Sequence, residues 1–183
     1  AIPDGAYTFT DYIDDDGLTP DRQIPIKATV RIEQDHIHVD FTGTSSQLKG
    51  PYNCVPSSTI SEVYYVVRSV TGADIPNNSG CFRSVTIHMP EGSLVNPVFP
   101  APVNSRTASV KRITDVLFGC FVQAIPDKMP AAACGQLLVM NFGGVDPLTG
   151  KTYITSELGV GGTGGRPMKD GVIADYDTTS IMM

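Results

Sequence analysis

Strict alternation over residues 24–41 constrains this chain more than any other feature. Ile24, Ile26, Ala28, Val30 and Ile32 are apolar at every second position, with Lys27, Thr29, Arg31 and Glu33 among the residues between them. Ile37, Val39 and Phe41 resume the alternation after Gln34-Asp35, with His36, His38 and Asp40 in the intervening places. A strand turns successive side chains to opposite faces, so period two marks half-buried strands. With Gln34-Asp35 as a two-residue turn, Ile32 meets Ile37, Val30 meets Val39 and Ala28 meets Phe41. The apolar side chains then share one face, and a slip of one residue would turn them all to solvent.

The rest of the chain reads as a mixture around this hairpin at 24–42. Residues 6–13 are predicted to form a preceding strand, closed by the charged turn Asp14-Asp15-Asp16-Gly17. A helix is predicted over 59–71: Thr59-x-x-Glu62 has the spacing of a capping box, Ile60, Val63, Tyr64, Val66, Val67 and Val70 follow at helical spacing, and Gly72 stops the run. A short strand at 84–89 precedes an irregular stretch, 94–104, that carries Pro97, Pro100 and Pro102. A longer helix is predicted over 107–124, with Val110, Ile113, Leu117, Cys120, Phe121 and Ala124 as its apolar stripe and Lys111 and Asp115 on its polar side. Two strands, 137–142 and 152–158, complete the set. Strands outnumber helices without alternating regularly with them, which predicts an α+β fold with an antiparallel or mixed sheet. The length, 183 residues, fits a single domain over 1–183.

Composition narrows the partners. The net charge of −6 argues against binding nucleic acid through a basic face. No apolar run approaches the ~18 residues that read as a membrane span, so no membrane partner is expected. The charged fraction, 17 %, is below the usual ~25 %, which implies that part of the surface is covered. Cys54, Cys81, Cys120 and Cys134 form no C-x-x-C pair and read as free thiols of a reducing, cytoplasmic compartment. The chain begins at Ala1 without Met and ends on Ile181-Met182-Met183, so it reads as a piece of a longer protein.

The segment Gly159-Val160-Gly161-Gly162-Thr163-Gly164-Gly165-Arg166 is the most unusual. Glycines free the backbone to approach an anion, and Arg166 adds a planar fork for carboxylate or phosphate. The alternative is a chain crossing too crowded for side chains, and composition leaves both open. No Gly-Lys-Ser/Thr follows, so the tract is not a P-loop. His36-x-His38-x-Asp40 shares one strand face, but residues four apart in a strand lie about 13 Å apart, so one ion cannot touch all three. These read as the solvated outer face of the hairpin. Cys81 has Arg83 nearby to lower its pKa, but reads first as a buried thiol.

Several stretches, in order, resemble the hydantoinase B family, which includes 5-oxoprolinases and acetone carboxylase components. They are Ile2-Pro3-Asp4-Gly5-x-Tyr7, Val39-Asp40-Phe41-Thr42-Gly43-Thr44-Ser45, Gly50-Pro51-x-Asn53-Cys54, Asn78-x-Gly80-Cys81-Phe82-Arg83, Pro90 to Pro97, Gly161-Gly162-Thr163-Gly164-Gly165-Arg166-Pro167, and Asp170-Gly171. The resemblance implies a B-type component of an ATP-dependent amidohydrolase. Its hydantoinase A-like partner binds ATP and phosphorylates the carbonyl of a cyclic amide, and the B-type component then opens the ring. A ketone carboxylase component on the same scaffold and a non-catalytic subunit-scaffolding domain are the alternatives.

The same resemblance implies the site residues. Arg166 and Asp170 are the expected catalytic pair, with Asp170 fixing Arg166. Gly161, Gly162 and Gly164 are expected at the substrate, with Asn78 and Arg83 as a second anion-binding pair. No metal ligand is assigned in this stretch and no cofactor is expected within it. ATP and a divalent metal are expected elsewhere in the complex, and the chain alone is expected to be inactive.

Overall fold

A computed structural model describes residues 2–71, 75–76, 78–135 and 137–171. Gly72 and the terminal Ile181-Met182-Met183 lie outside them. The first sheet holds four strands in the order β1 (Gly5–Ile13), β2 (Ile24–Glu33), β3 (His36–Asp40), β4 (Val85–His88). The β1–β2 and β2–β3 pairs are antiparallel and β3–β4 is parallel, so the sheet is mixed. The parallel pair is connected through helix α1 (Pro56–Val70). Helix α2 (Arg106–Ala124) follows β4, and a two-stranded antiparallel ribbon, β5 (Leu137–Val145) with β6 (Thr152–Val160), comes last. The α+β expectation holds.

The hairpin register is the expected one: Ile32 faces Ile37 and Val30 faces Val39. The ladder stops at Thr29–Asp40, one pair short of Ala28–Phe41. Phe41 has left the strand, yet it is fully buried, and its N–H still donates to the His88 carbonyl at 3.0 Å. The alternate side chains of β2 that face inward, Ile24 to Ile32, pack under both helices. Val63, Val66 and Val67 of α1 and Ile113, Val116, Leu117, Cys120 and Phe121 of α2 complete this core. Gly119 lets α2 lie close on β1, since a Cβ there would meet the Phe9 ring at 2.4 Å.

Three local expectations are corrected. Helix α1 starts at Pro56, whose fixed φ suits a first turn, and no side chain caps it. Thr59 and Glu62 therefore form no capping box. Thr59 is buried and its hydroxyl donates to the Val95 carbonyl at 2.9 Å, while Glu62 accepts from the Thr114 hydroxyl at 2.6 Å. Asp115 is not on the polar side of α2: it is buried, for reasons given below. Cys81 is only half-buried and its thiol donates to the Asn78 carbonyl, whereas Cys54 and Cys120 are buried.

The irregular stretch also carries core. Leu94 and Val95 are fully buried, held by bonds from the Leu94 N–H to Ser45 and from the Cys54 N–H to Leu94. Asn53, fully buried, accepts from the Leu48 N–H at 2.7 Å and donates to the carbonyls of Leu48, Gly50 and Pro102. Gly50 lies against the Asp16 carbonyl, 2.5 Å from where a Cβ would stand. These contacts give Gly50-Pro51-x-Asn53-Cys54 and Pro90 to Pro97 a packing role: they staple loops over the open end of the core.

Candidate functional site

The glycine tract leaves the end of β6 and runs beside residues 131–134. The Cys134 N–H donates to the Gly162 carbonyl at 3.2 Å and the Ala131 N–H to the Gly165 carbonyl at 2.8 Å. Between these bonds the two backbones nearly touch. A Cβ on Gly164 would stand 1.9 Å from the Ala131 carbonyl oxygen, and one on Gly171 would stand 2.1 Å from that of Thr163. Gly164 is thus a glycine because the crossing leaves no room for a side chain. At Gly165 a Cβ would have no neighbour closer than 3.9 Å. The tract therefore has a crowded side toward 131–134 and a more open rim.

A tight turn follows the rim. Arg166 and Lys169 exchange backbone bonds of 2.8 and 2.9 Å around Pro167-Met168, with Met168 at φ 62°. The Arg166 and Asp170 side chains are exposed at this turn, close to the open part of the tract. Arg166 and Asp170 flank this turn as exposed side chains that no hydrogen bond or ion pair joins, so the expected pairing of the two is not formed here; Gly162 and Gly164 lie upstream in the tract.

Beneath residues 131–135 lies a charged group that periodicity did not indicate. The Asp115 carboxyl, 8 % exposed, accepts from the Ala133 N–H through Oδ1 at 3.2 Å. Its Oδ2 is buried, has no hydrogen-bond partner, and lies 3.7 Å from the Arg112 guanidinium. Arg112 in turn donates to Asp11 of β1 at 2.6 Å. Burial pushes the Asp115 carboxyl above its usual range, against the pull of the Ala133 N–H and the Arg112 charge. Gly135, at φ 67°, passes so close over Arg112 that a Cβ would meet its Nη2 at 2.5 Å. The sequence signal was faint: Asp115 is three residues beyond Arg112, and the small residues Ala131–Ala133 and Gly135 allow the overlying chain to close in.

Asn78 and Arg83 bracket one 3-10 turn, Ser79–Phe82. Asn78 Oδ1 caps it by accepting from the Gly80 N–H at 2.8 Å, and Arg83 is exposed at the other end. The Asn78 oxygen is thus committed to the backbone. On the outer face of the sheet His36 and His38 stack with ring centroids 6.3 Å apart. His36 bonds Asp35, and His38 bonds Thr86. Burial opposes ionisation of Asp40, but bonds from the Thr42 hydroxyl and N–H, aided by the charges of His88 and Lys27, hold it below its usual range. Among the described residues no three His, Cys, Asp or Glu side chains converge as metal ligands.

Known proteins resemble this arrangement over most of its length. The family described as Hydantoinase B/oxoprolinase matches residues 1–182. The 5-oxoprolinase PfmaA of Pestalotiopsis fici is 34 % identical over 144 residues, 79 % of this chain and 10 % of its own. The crystal structure of the ATP-dependent caprolactamase from Pseudomonas jessenii superposes with a TM-score of 0.82 at 28 % identity, covering 94 % of this chain and 30 % of that one. A nucleotide-free acetone carboxylase structure shares the fold, with a TM-score of 0.79 at 16 % identity over 98 % of this chain and 27 % of that one. The chain spans between 10 % and 30 % of the length of its first curated relatives. Agreement in sequence and in three-dimensional shape over almost every residue has one reading: the chain belongs to the hydantoinase B/oxoprolinase family.

Proposed function

We propose that this chain forms part of the B-type component of an ATP-dependent cyclic-amide hydrolase, acting on a carbonyl that a hydantoinase A-like subunit has activated with ATP. The observation that carries the reading is the family match over residues 1–182, with the caprolactamase as a structural relative at 28 % identity. The likeness to acetone carboxylase is one of fold and does not favour ketone carboxylation. A reducing, cytoplasmic setting belongs to the proposal and is supported by Cys54, Cys81 and Cys120, which form no disulfide. Among the described residues no cluster of side chains fits a divalent metal. ATP and the metal belong, on this reading, to other parts of the complex.

The open rim of the glycine tract is where the chain meets the activated substrate. With no side chains of their own, Gly161 and Gly162 let a substrate approach the backbone, although the Gly162 carbonyl already accepts from the Cys134 N–H, while Gly164 seats the tract against Ala131. The Arg166 guanidinium supplies two parallel N–H donors to a phosphate or carboxylate, and Asp170, exposed across the turn, would pair with it only once the substrate orders both side chains. Such preorganised donors act where negative charge grows on ring opening. Arg83, beside the capped Asn78, is the second anion contact.

Arg166→Lys keeps the charge and loses the fork. In the full-length component with its ATP-binding partner, turnover of 5-oxoproline or a hydantoin is expected to fall at least about tenfold, a transition-state loss of ~1.4 kcal/mol. Gly162→Val should do the same by closing the backbone approach. The Arg166→Lys melting temperature should stay within about 1 °C, since the side chain is exposed. Full turnover by Arg166→Lys overturns the reading of the tract.

A further inference from the structure

We infer that Asp115 is a positioning residue: its buried carboxyl fixes residues 131–135 on helix α2 and thereby sets the register of the glycine tract lying on them. The inference deepens the proposed function and rests on its reading of the tract. Three contacts in series carry it. Asp115 Oδ1 accepts from the Ala133 N–H at 3.2 Å. The flanking N–H groups of Ala131 and Cys134 then donate to Gly165 and Gly162. Residue 133 is thus pinned from below, and its neighbours on either side pin the tract.

The surroundings give this carboxyl little choice of conformation. Asp115 is 8 % exposed, and its side chain shares Arg112 with Asp11, at 3.7 Å against 2.6 Å. Arg112 is therefore held mainly by β1, and Gly135 closes over it with no room for a Cβ. The Coulombic pull of Arg112 draws Asp115 Oδ2 toward one side and leaves Oδ1 for the Ala133 N–H. A buried polar atom without a hydrogen-bond partner, as Oδ2 is, costs stability. An apolar residue would avoid that cost but would leave the Ala133 N–H without its acceptor. The carboxyl is accounted for by what it does to the 131–135 backbone.

Asp115→Asn and Asp115→Leu separate the two requirements, because Asn keeps an acceptor for the Ala133 N–H and Leu does not. Both are made in the full-length component in its complex, with hydrogen exchange and steady-state kinetics measured on the same preparations. For Asp115→Leu, exchange of peptides spanning 131–135 and 161–165 is expected to quicken at least about tenfold, while β2 and the rest of α2 keep their protection. Its kcat/KM should fall about tenfold. Asp115→Asn should restore both readouts to within about threefold of wild type, a rescue that loss of a merely apolar or charged filler would not give. Unchanged exchange in Asp115→Leu, or an Asn variant as impaired as the Leu variant, overturns the inference. Quickened exchange with unchanged turnover upholds the positioning of the tract and overturns its catalytic reading instead.

Discussion

Replacing Asn53 with Leu should unfold this chain more readily than any change on its surface, and the cost follows from four contacts. Oδ1 accepts from the Leu48 N–H at 2.7 Å, and Nδ2 donates to Leu48 at 2.9 Å, Pro102 at 2.9 Å and Gly50 at 3.2 Å. Two N–H protons serve three carbonyls, so the set amounts to about three full hydrogen bonds. At a net ~1–1.5 kcal/mol each, their loss costs about 3–4.5 kcal/mol, and Leu offers the orphaned groups nothing in return. That is a large share of the ~5–15 kcal/mol that holds a typical domain together. Asn53→Asp should be worse at neutral pH, because a carboxylate then faces three carbonyl oxygens. Its folded pKa would rise above the unfolded value near 3.9, so its contribution is best below that value and is lost as pH rises through the folded pKa. Urea denaturation at pH 4.5 and pH 7.5 tests both statements. A cost below about 1 kcal/mol for Asn53→Leu, or an Asp variant no worse than Leu at pH 7.5, would refute this account of the motif.

Two further outcomes are expected. Val39→Asp places an unpaired charge in the core under the four-stranded sheet and should cost several kcal/mol, whereas His38→Ala on the outer face should cost under about 1 kcal/mol; equal losses in thermal melts would contradict the register. With a thiol reagent at pH 8, exposed Cys134 should react first and Cys120 only on unfolding, since burial pushes the Cys120 thiol up to about 12. Modification of Cys120 at the rate of Cys134, followed by mass spectrometry, would show that this core opens in the native state.

The sheet and helices were legible because a single physical signal, burial on one face, repeats along each of them. Val30 and Val39 announce their partnership through spacing alone, and α2 is readable from Ile113 to Phe121. The capping box failed because Thr59 spends its hydroxyl on Val95, thirty-six residues away, which no local pattern reveals. Asp115 failed for a related reason. Helical spacing placed it beside Lys111 on a polar flank, but that flank is roofed by residues 131–135, whose path depends on Gly135 and on the glycine tract. The tract itself stood out by composition, while the division of labour within it did not: Gly164 answers to Ala131, whereas Gly165 has room for a Cβ against Lys169 and Gly171.

The β5–β6 ribbon has a consequence for the behaviour of the chain in solution. Its strands pair only with each other among the described residues, so both long edges keep unpaired N–H and C=O groups. Val139, Val145 and Ile154 lie on one face, Met140, Phe142 and Tyr153 on the other, and all are 41–81 % exposed. Two strands alone are marginal in water, and a ribbon sticky on both faces and both edges is a template for any extended chain that meets it. The colloidal properties of the isolated chain are therefore governed by about a tenth of its residues rather than by its core. A charge placed at Ile154, the most exposed of these apolar side chains, raises the concentration at which copies begin to associate while leaving the melting of the four-stranded sheet where it was.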